Sequence, residues 1–115
     1  MAIKNMVRIR TDYTETIKNE AWEYSEELSA PANGDTVIIP EDVQNISVTL
    51  VVTAGSGKIQ ATTDLLATVE SGTGVTWVDW DHGVVTATTQ DVAKPVTALR
   101  QVNVSGTTKL VMRAQ

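Results

Sequence analysis

The residues best placed to do chemistry fall in VTWVDWDHGVV, residues 75–85, where Trp77, Asp79, Trp80 and Asp81 crowd beside the sole histidine, His82. Asp79 and Asp81 lie two apart, so on a strand their carboxylates project from one side, and Asp64 or Asp91 would add a third oxygen. Oxygen ligands of that kind suit Ca²⁺ better than Zn²⁺. No DxDxDG loop accompanies them, and aspartates spaced beside a turn are ordinarily solvated, so the sequence predicts no metal site. Two carboxylates could also divide glycoside hydrolysis between an acid and a nucleophile, but that needs a cleft of fixed separation. A short chain with three tryptophans, two tyrosines and no phenylalanine has little material for one.

Nucleophilic catalysis lacks an anchor. His82 would be the only imidazole base, it sits where a turn favours a polar residue, and no GxSxG elbow supplies a serine. With no cysteine there is no thiolate and no disulfide framework. Gly55-Ser56-Gly57-Lys58 lacks the first glycine of a phosphate loop, where Val52 stands, and a strand pattern rather than a helix follows. These residues predict a protein that is not an enzyme and carries no cofactor. Trp77 and Trp80 remain as surface chemistry. They lie on opposite parities, so on a regular strand one faces the core and the other faces outward, able to stack on a sugar ring or to anchor a protein interface, whereas a bulge or neighbouring loops would bury both.

The elements that must hold these residues are strands. Valine, isoleucine and threonine fill 40 of the 115 positions, and their branched side chains fit a pleated, half-buried surface better than a helix. The expected fold is all-β: an antiparallel β-sandwich, jelly-roll or Ig-like, or a small barrel, with one short helical turn over DLLATVESG capped by Asp64 and ended by Gly72. Residues 1–20, with Ile3, Val7 and Ile9 on one parity, form an N-terminal arm or an edge strand, and residues 21–115 form the sandwich. Residues 21–29, AWEYSEELS, form a strand with Trp22 and Tyr24 on one face and Glu23 on the other, or else a short helix.

Asn33-Gly34 supplies a tight turn before the strand Thr36 to Ile39. Residues 46–54 and KIQATT form a hairpin across Gly55-Ser56-Gly57, Val75 to Asp81 and Val84 to Thr89 a second across Asp81-His82-Gly83, and VTALRQVNV and TTKLVMR a third across Ser105-Gly106. Glu41-Asp42 turns the chain and Lys94-Pro95 breaks it. In the last hairpin Val96, Ala98, Val102 and Val104 share a parity with Arg100. On an apolar inward face that arginine either leaves the sheet at a bulge or pairs with an acid, with Asp79, Asp81 and Asp91 the candidates.

A net charge of −5 and only nine lysines and arginines exclude a phosphate-neutralising surface and predict no nucleic-acid partner. No stretch has the length of a membrane span or a signal peptide, which predicts synthesis in the cytoplasm and no membrane partner. A core of small aliphatics is thin, so the chain is expected to self-associate as a dimer or trimer, or to need a partner.

The stretches GSGKIQATTD, VTWVDWDHGVVTATTQD and KPVTALRQVNVSGTTKLVM, spanning about residues 54–113, resemble small β-rich virion structural proteins of tailed bacteriophages. The residues that carry the resemblance are Trp77, Trp80, Gly83, Pro95, Ala98 and Arg100. It implies a capsid decoration, or cement, protein on the virion surface, made in the host cytoplasm, whose partners are the major capsid protein and further copies of itself. It brings no catalytic residue. Tail-tube, tail-tip or fibre roles, or glycan binding by a host-recognition domain, are the alternatives. The expected interface residues are Ile3, Val7, Ile9, Trp22, Tyr24, Trp77, Asp79, Trp80, Asp81 and Arg100.

Overall fold

The computed structural model describes residues 3–13, 18–40, 43, 45–93 and 96–115, without the side chains of 8–13, 18–20 and 93. The turn expected at Glu41-Asp42 and the break at Lys94-Pro95 lie outside the described residues, as does the side chain of Ile9. In chain order the elements are β1 (Ile3–Asn5), β2 (Val7–Tyr13), β3 (Lys18–Leu28), β4 (Ala32–Asn33), β5 (Thr36–Ile38), β6 (Ile46–Thr62), α1 (Leu66–Ser71), β7 (Val78–Asp79), β8 (Thr89–Ala93) and β9 (Ala98–Ala114). The fold is all-β apart from α1. Its strands form a single hydrogen-bonded sheet, antiparallel throughout except where β1 runs parallel to β5.

Two strands organise everything else. β6 and β9 are each 17 residues long and pair antiparallel from Ile46↔Ala114 to Thr62↔Ala98. A straight strand of that length would run about 56 Å, yet the molecule's longest dimension is 49 Å, so the ribbon bends. The bend lies where the register slips, between Val52 and Ala54 and between Ser56 and Gly57. Each slip inserts one unpaired residue, and an odd insertion turns the side-chain alternation over. Before the bend Ile46, Val48 and Leu50 point inward with Leu110, Met112 and Ala114; after it Ile59 points inward with Leu99, Gln101 and Asn103.

The expected hairpins at Gly55-Ser56-Gly57 and Ser105-Gly106 are therefore not hairpins. Gly55 (φ 78°) and Gly106 (φ 73°) sit opposite each other, and their left-handed backbone, read from the sequence as chain reversal, instead folds one continuous ribbon. The hairpin expected around His82 is also replaced. β7 pairs with β6 through Gln60↔Asp79, β8 pairs with the other end of β6, and Val85 makes an isolated bridge to Gly57.

Bending the ribbon divides the sheet into two facing layers. The first runs β8, β6, β9, β3, β2, and the second runs β7, β6, β9, then β4 and β5, then β1. The core between them contains Ile46, Val48, Leu50, Leu110 and Met112 from one layer and Val37, Ile59 and Leu99 from the other. Each fully buried aliphatic side chain stabilises the fold by about 1.5–3 kcal/mol. β1 and β2 are edge strands of opposite layers, and Met6 between them is buried in the core.

Polar residues also face inward near the bend, and their side-chain donors are held, while Asn103 Oδ1 has no partner among the described residues. Gln101 Nε2 donates to Glu26 O at 2.8 Å and to Glu26 Oε1 at 2.9 Å, while Thr108 Oγ1 donates to Gln101 Oε1 at 3.0 Å. Asn103 Nδ2 donates to Leu28 O and Gly106 O. Gly34 lies against this cluster: a Cβ there would stand 2.2 Å from Glu26 Oε1 and 2.8 Å from Gln101 Cγ. Its backbone does not adopt positive φ, so close approach, and not the turn expected from Asn33-Gly34, is what requires glycine.

The helical turn forms where expected and ends on Gly72 in the left-handed conformation (φ 72°), as expected. Asp64 is not its cap. The N-cap position is Leu65, and Asp64 Oδ2 instead accepts from Thr76 N at 2.6 Å.

Candidate binding site

Arg100 faces outward, because the bulges reverse the expected parity over residues 99–104: Leu99, Gln101 and Asn103 are buried, Arg100 and Val102 half-buried, and Val104 exposed, while Ala98 is buried and Val96 packs on the core as expected. Of the two outcomes expected for Arg100, it is the bulge, and not an acidic partner, that relieves the inward face. The Arg100 guanidinium lies 4.3 Å from the centroid of the Trp77 ring, a cation–π distance. Its Nε donates to Gln60 Oε1 at 2.9 Å, and Gln60 Nε2 donates to Asp79 Oδ1 at 2.9 Å. Lys58 Nζ completes the chain at 3.1 Å from Asp79 Oδ2. The Gln60 amide, then the Lys58 ammonium, hold the Asp79 carboxyl below its usual pKa. Burial alone lowers that of Arg100, which stays charged.

Trp80 faces the other way and packs against the core. Its indole Nε1 donates to Gly83 O at 2.6 Å, closing the turn, and its ring meets His82 edge-on with centroids 4.8 Å apart. His82 Nε2 lies 3.3 Å from Asp91 Oδ2 on β8. His82 is an exposed turn residue, and its contact with Asp91 also ties the loop to the first layer. Asp79 and Asp81 do not act as a pair, because β7 ends at Asp79 and Asp81 stands in the turn. Among the described residues no three histidines, aspartates or glutamates come together as a metal ion would need.

Along this side the layers stay apart, leaving a cavity of about 270 Å³ whose lining includes Val48, Ile59, Leu99, Trp80, Asp81 and Asp91. A second hollow of about 310 Å³ shares Ala61, Trp80 and Val96 with it.

The remaining expected interface residues divide. Trp22 and Tyr24 are half-buried against the core, and burial, reinforced by the charges of Glu26 and Asp35, raises the Tyr24 phenol well above its ordinary pKa. Ile3 is exposed on β1 and Val7 on β2. Val7 belongs to a row across the outer face of the first layer, reading Val92, Ser47, Arg113, Glu23, Val7. The next row reads Gln90, Thr49, Val111, Ser25. A groove of about 570 Å³ runs beside Val7, Glu23, Lys109, Val111 and Arg113. Sequence reasoning missed Val92 and Val111, although strict alternation with Met112 and Leu110 marks Val111 as outward.

No protein-family model and no curated protein matches the sequence. Two solved structures superpose on this chain. A structure of oxalate oxidase superposes over 82% of this chain and 41% of its own, with a TM-score of 0.51 and 15% identity. The Cnp3 cupin domain of Schizosaccharomyces pombe superposes over 91% of this chain and 57% of its own, with a TM-score of 0.44 and 9% identity. This chain spans less than two thirds of either, and the first likeness is one of fold.

Proposed function

We propose that this chain is a non-catalytic structural protein of a tailed-phage virion, a capsid decoration protein that binds the assembled shell as a homo-oligomer and bridges neighbouring major capsid subunits. The observation that carries the reading is the outer face of the first layer, where exposed Val7, Val92 and Val111 stand among small hydroxyl side chains. Opposite charges face each other across β3 and β9 there, Glu23 with Arg113 and Glu27 with Lys109. A non-obligate protein interface is no more apolar than the rest of a protein surface, so a sheet face with exposed valines and paired charges is compatible with docking. The resemblance of residues 54–113 to phage virion proteins supplies the partner.

The tryptophans support glycan binding less well. Arg100 occupies one face of Trp77 and Trp80 is committed to the core, whereas sugar stacking needs an open ring face. The test mixes the purified chain with assembled shells lacking it and with free major capsid subunits. Saturable co-sedimentation with shells alone is expected; binding to neither, or rings formed without any shell, contradicts the proposal.

A further inference from the structure

The cavity between the layers has walls and a rim of different chemistry. Its walls are Val48, Ile59 and Leu99 from the facing layers, with the Trp80 indole between. Its rim carries two carboxylates. Asp91 is already engaged, its Oδ2 with His82 and its Oδ1 with the Val92 amide at 2.8 Å. Asp81 is exposed and makes no hydrogen bond or ion pair among the described residues. Together with the adjoining hollow the space reaches the range in which small molecules are bound.

The lining selects among guests. A sugar would press hydroxyls against aliphatic walls and lose their hydrogen bonds to water. A wholly apolar guest would fill the walls and gain nothing from Asp81. A guest with a short apolar body and one cationic end satisfies both, and the chain's net charge of −5 draws it in. We propose that this cavity binds a small organic cation, an amine with a short alkyl or aryl body, the body lying between Val48, Ile59 and Leu99 and the ammonium reaching Asp81. Val92 lies at the border of this site and of the outer face assigned to shell docking, but the walls and Asp81 belong to the cavity alone, so the proposal stands or falls independently of shell docking.

The probe is hexylammonium, with hexan-1-ol as its uncharged match, titrated into the full chain while the methyl NMR signals of Val48, Ile59 and Leu99 are followed. Saturable shifts confined to the cavity are expected with hexylammonium. Affinity for the alcohol should be roughly three- to tenfold lower, the effect of an exposed ion pair and a cation near an indole. Asp81→Asn removes that preference while leaving the melting temperature unchanged. Absence of saturable shifts with either compound, equal affinity for both, or a preference that survives Asp81→Asn overturns the assignment.

Discussion

Gly55 and Gly106 face each other across the β6–β9 ribbon, each so close to the opposite chain that a Cβ would stand 2.1 Å from a backbone carbonyl oxygen, of Ser105 and Ala54 respectively. Both have positive φ. A substitution at either position meets left-handed strain and a backbone clash together, and no flexible side chain can move aside. Gly55→Ala and Gly106→Ala should each cost at least about 2 kcal/mol in urea denaturation. Gly83 also has positive φ but open space around it, so Gly83→Ala should cost about 1 kcal/mol, the conformational penalty alone.

Leu50 and Leu110 are direct partners in the first layer and neither is accessible to solvent. Leu50→Ala and Leu110→Ala should each destabilise the fold by about 2–5 kcal/mol. The double variant should depart from the sum of the two, because neighbours share one cavity. Val111→Ala, one residue on but facing outward, should stay within about 0.5 kcal/mol of the parent. Equilibrium unfolding of the four variants checks the parity assigned to β9.

Trp77 and Arg100 should be energetically coupled. A double-mutant cycle with Trp77→Ala and Arg100→Ala is expected to give about 0.5–1 kcal/mol of interaction. Arg100→Lys should not preserve it, since an ammonium cannot stack its plane on the indole while donating through Nε to Gln60. A coupling of zero would mean that the loop before β7 rests on the sheet without help from the arginine.

Stability should fall at both ends of the pH scale. The Tyr24 phenol has its pKa raised in the folded state, chiefly by burial, so the unfolded chain loses its proton first. The contribution is complete below the ordinary tyrosine value of about 10 and is lost as pH rises beyond it. Asp79 has its pKa lowered, first by Gln60 and then by Lys58. Its contribution is present above the ordinary aspartate value of about 3.9 and disappears as pH falls through its lowered folded value. Thermal melts against pH should show Tyr24→Phe flattening the alkaline limb and Asp79→Asn the acidic one.

The all-β class was legible from branched side chains, and so were the common face of Trp22 and Tyr24 and the helical turn ending at Gly72. The ribbon was not. A Gly-Ser-Gly cluster is a local signal, and whether its left-handed glycine reverses the chain or bends it depends on a second glycine far along the sequence. The same long-range pairing placed the bulges that turned Arg100, Val102 and Val104 outward. Gln101 and Asn103 could go inward because backbone groups at Glu26, Leu28 and Gly106 were waiting for their amides. Alternation read without those bulges gives the opposite face. The Asp81 cavity was hidden for a related reason, since its walls come from both halves of one bent strand.

The most direct test of the decoration role is binding of the parent chain, Val111→Arg and Asp81→Asn to assembled shells lacking the protein, measured by quantitative co-sedimentation alongside melting temperature. The parent and Asp81→Asn should saturate the shells equally, while Val111→Arg folds normally and binds at least tenfold more weakly. Full binding by Val111→Arg, or none by the parent, would contradict docking through the outer face of the first layer.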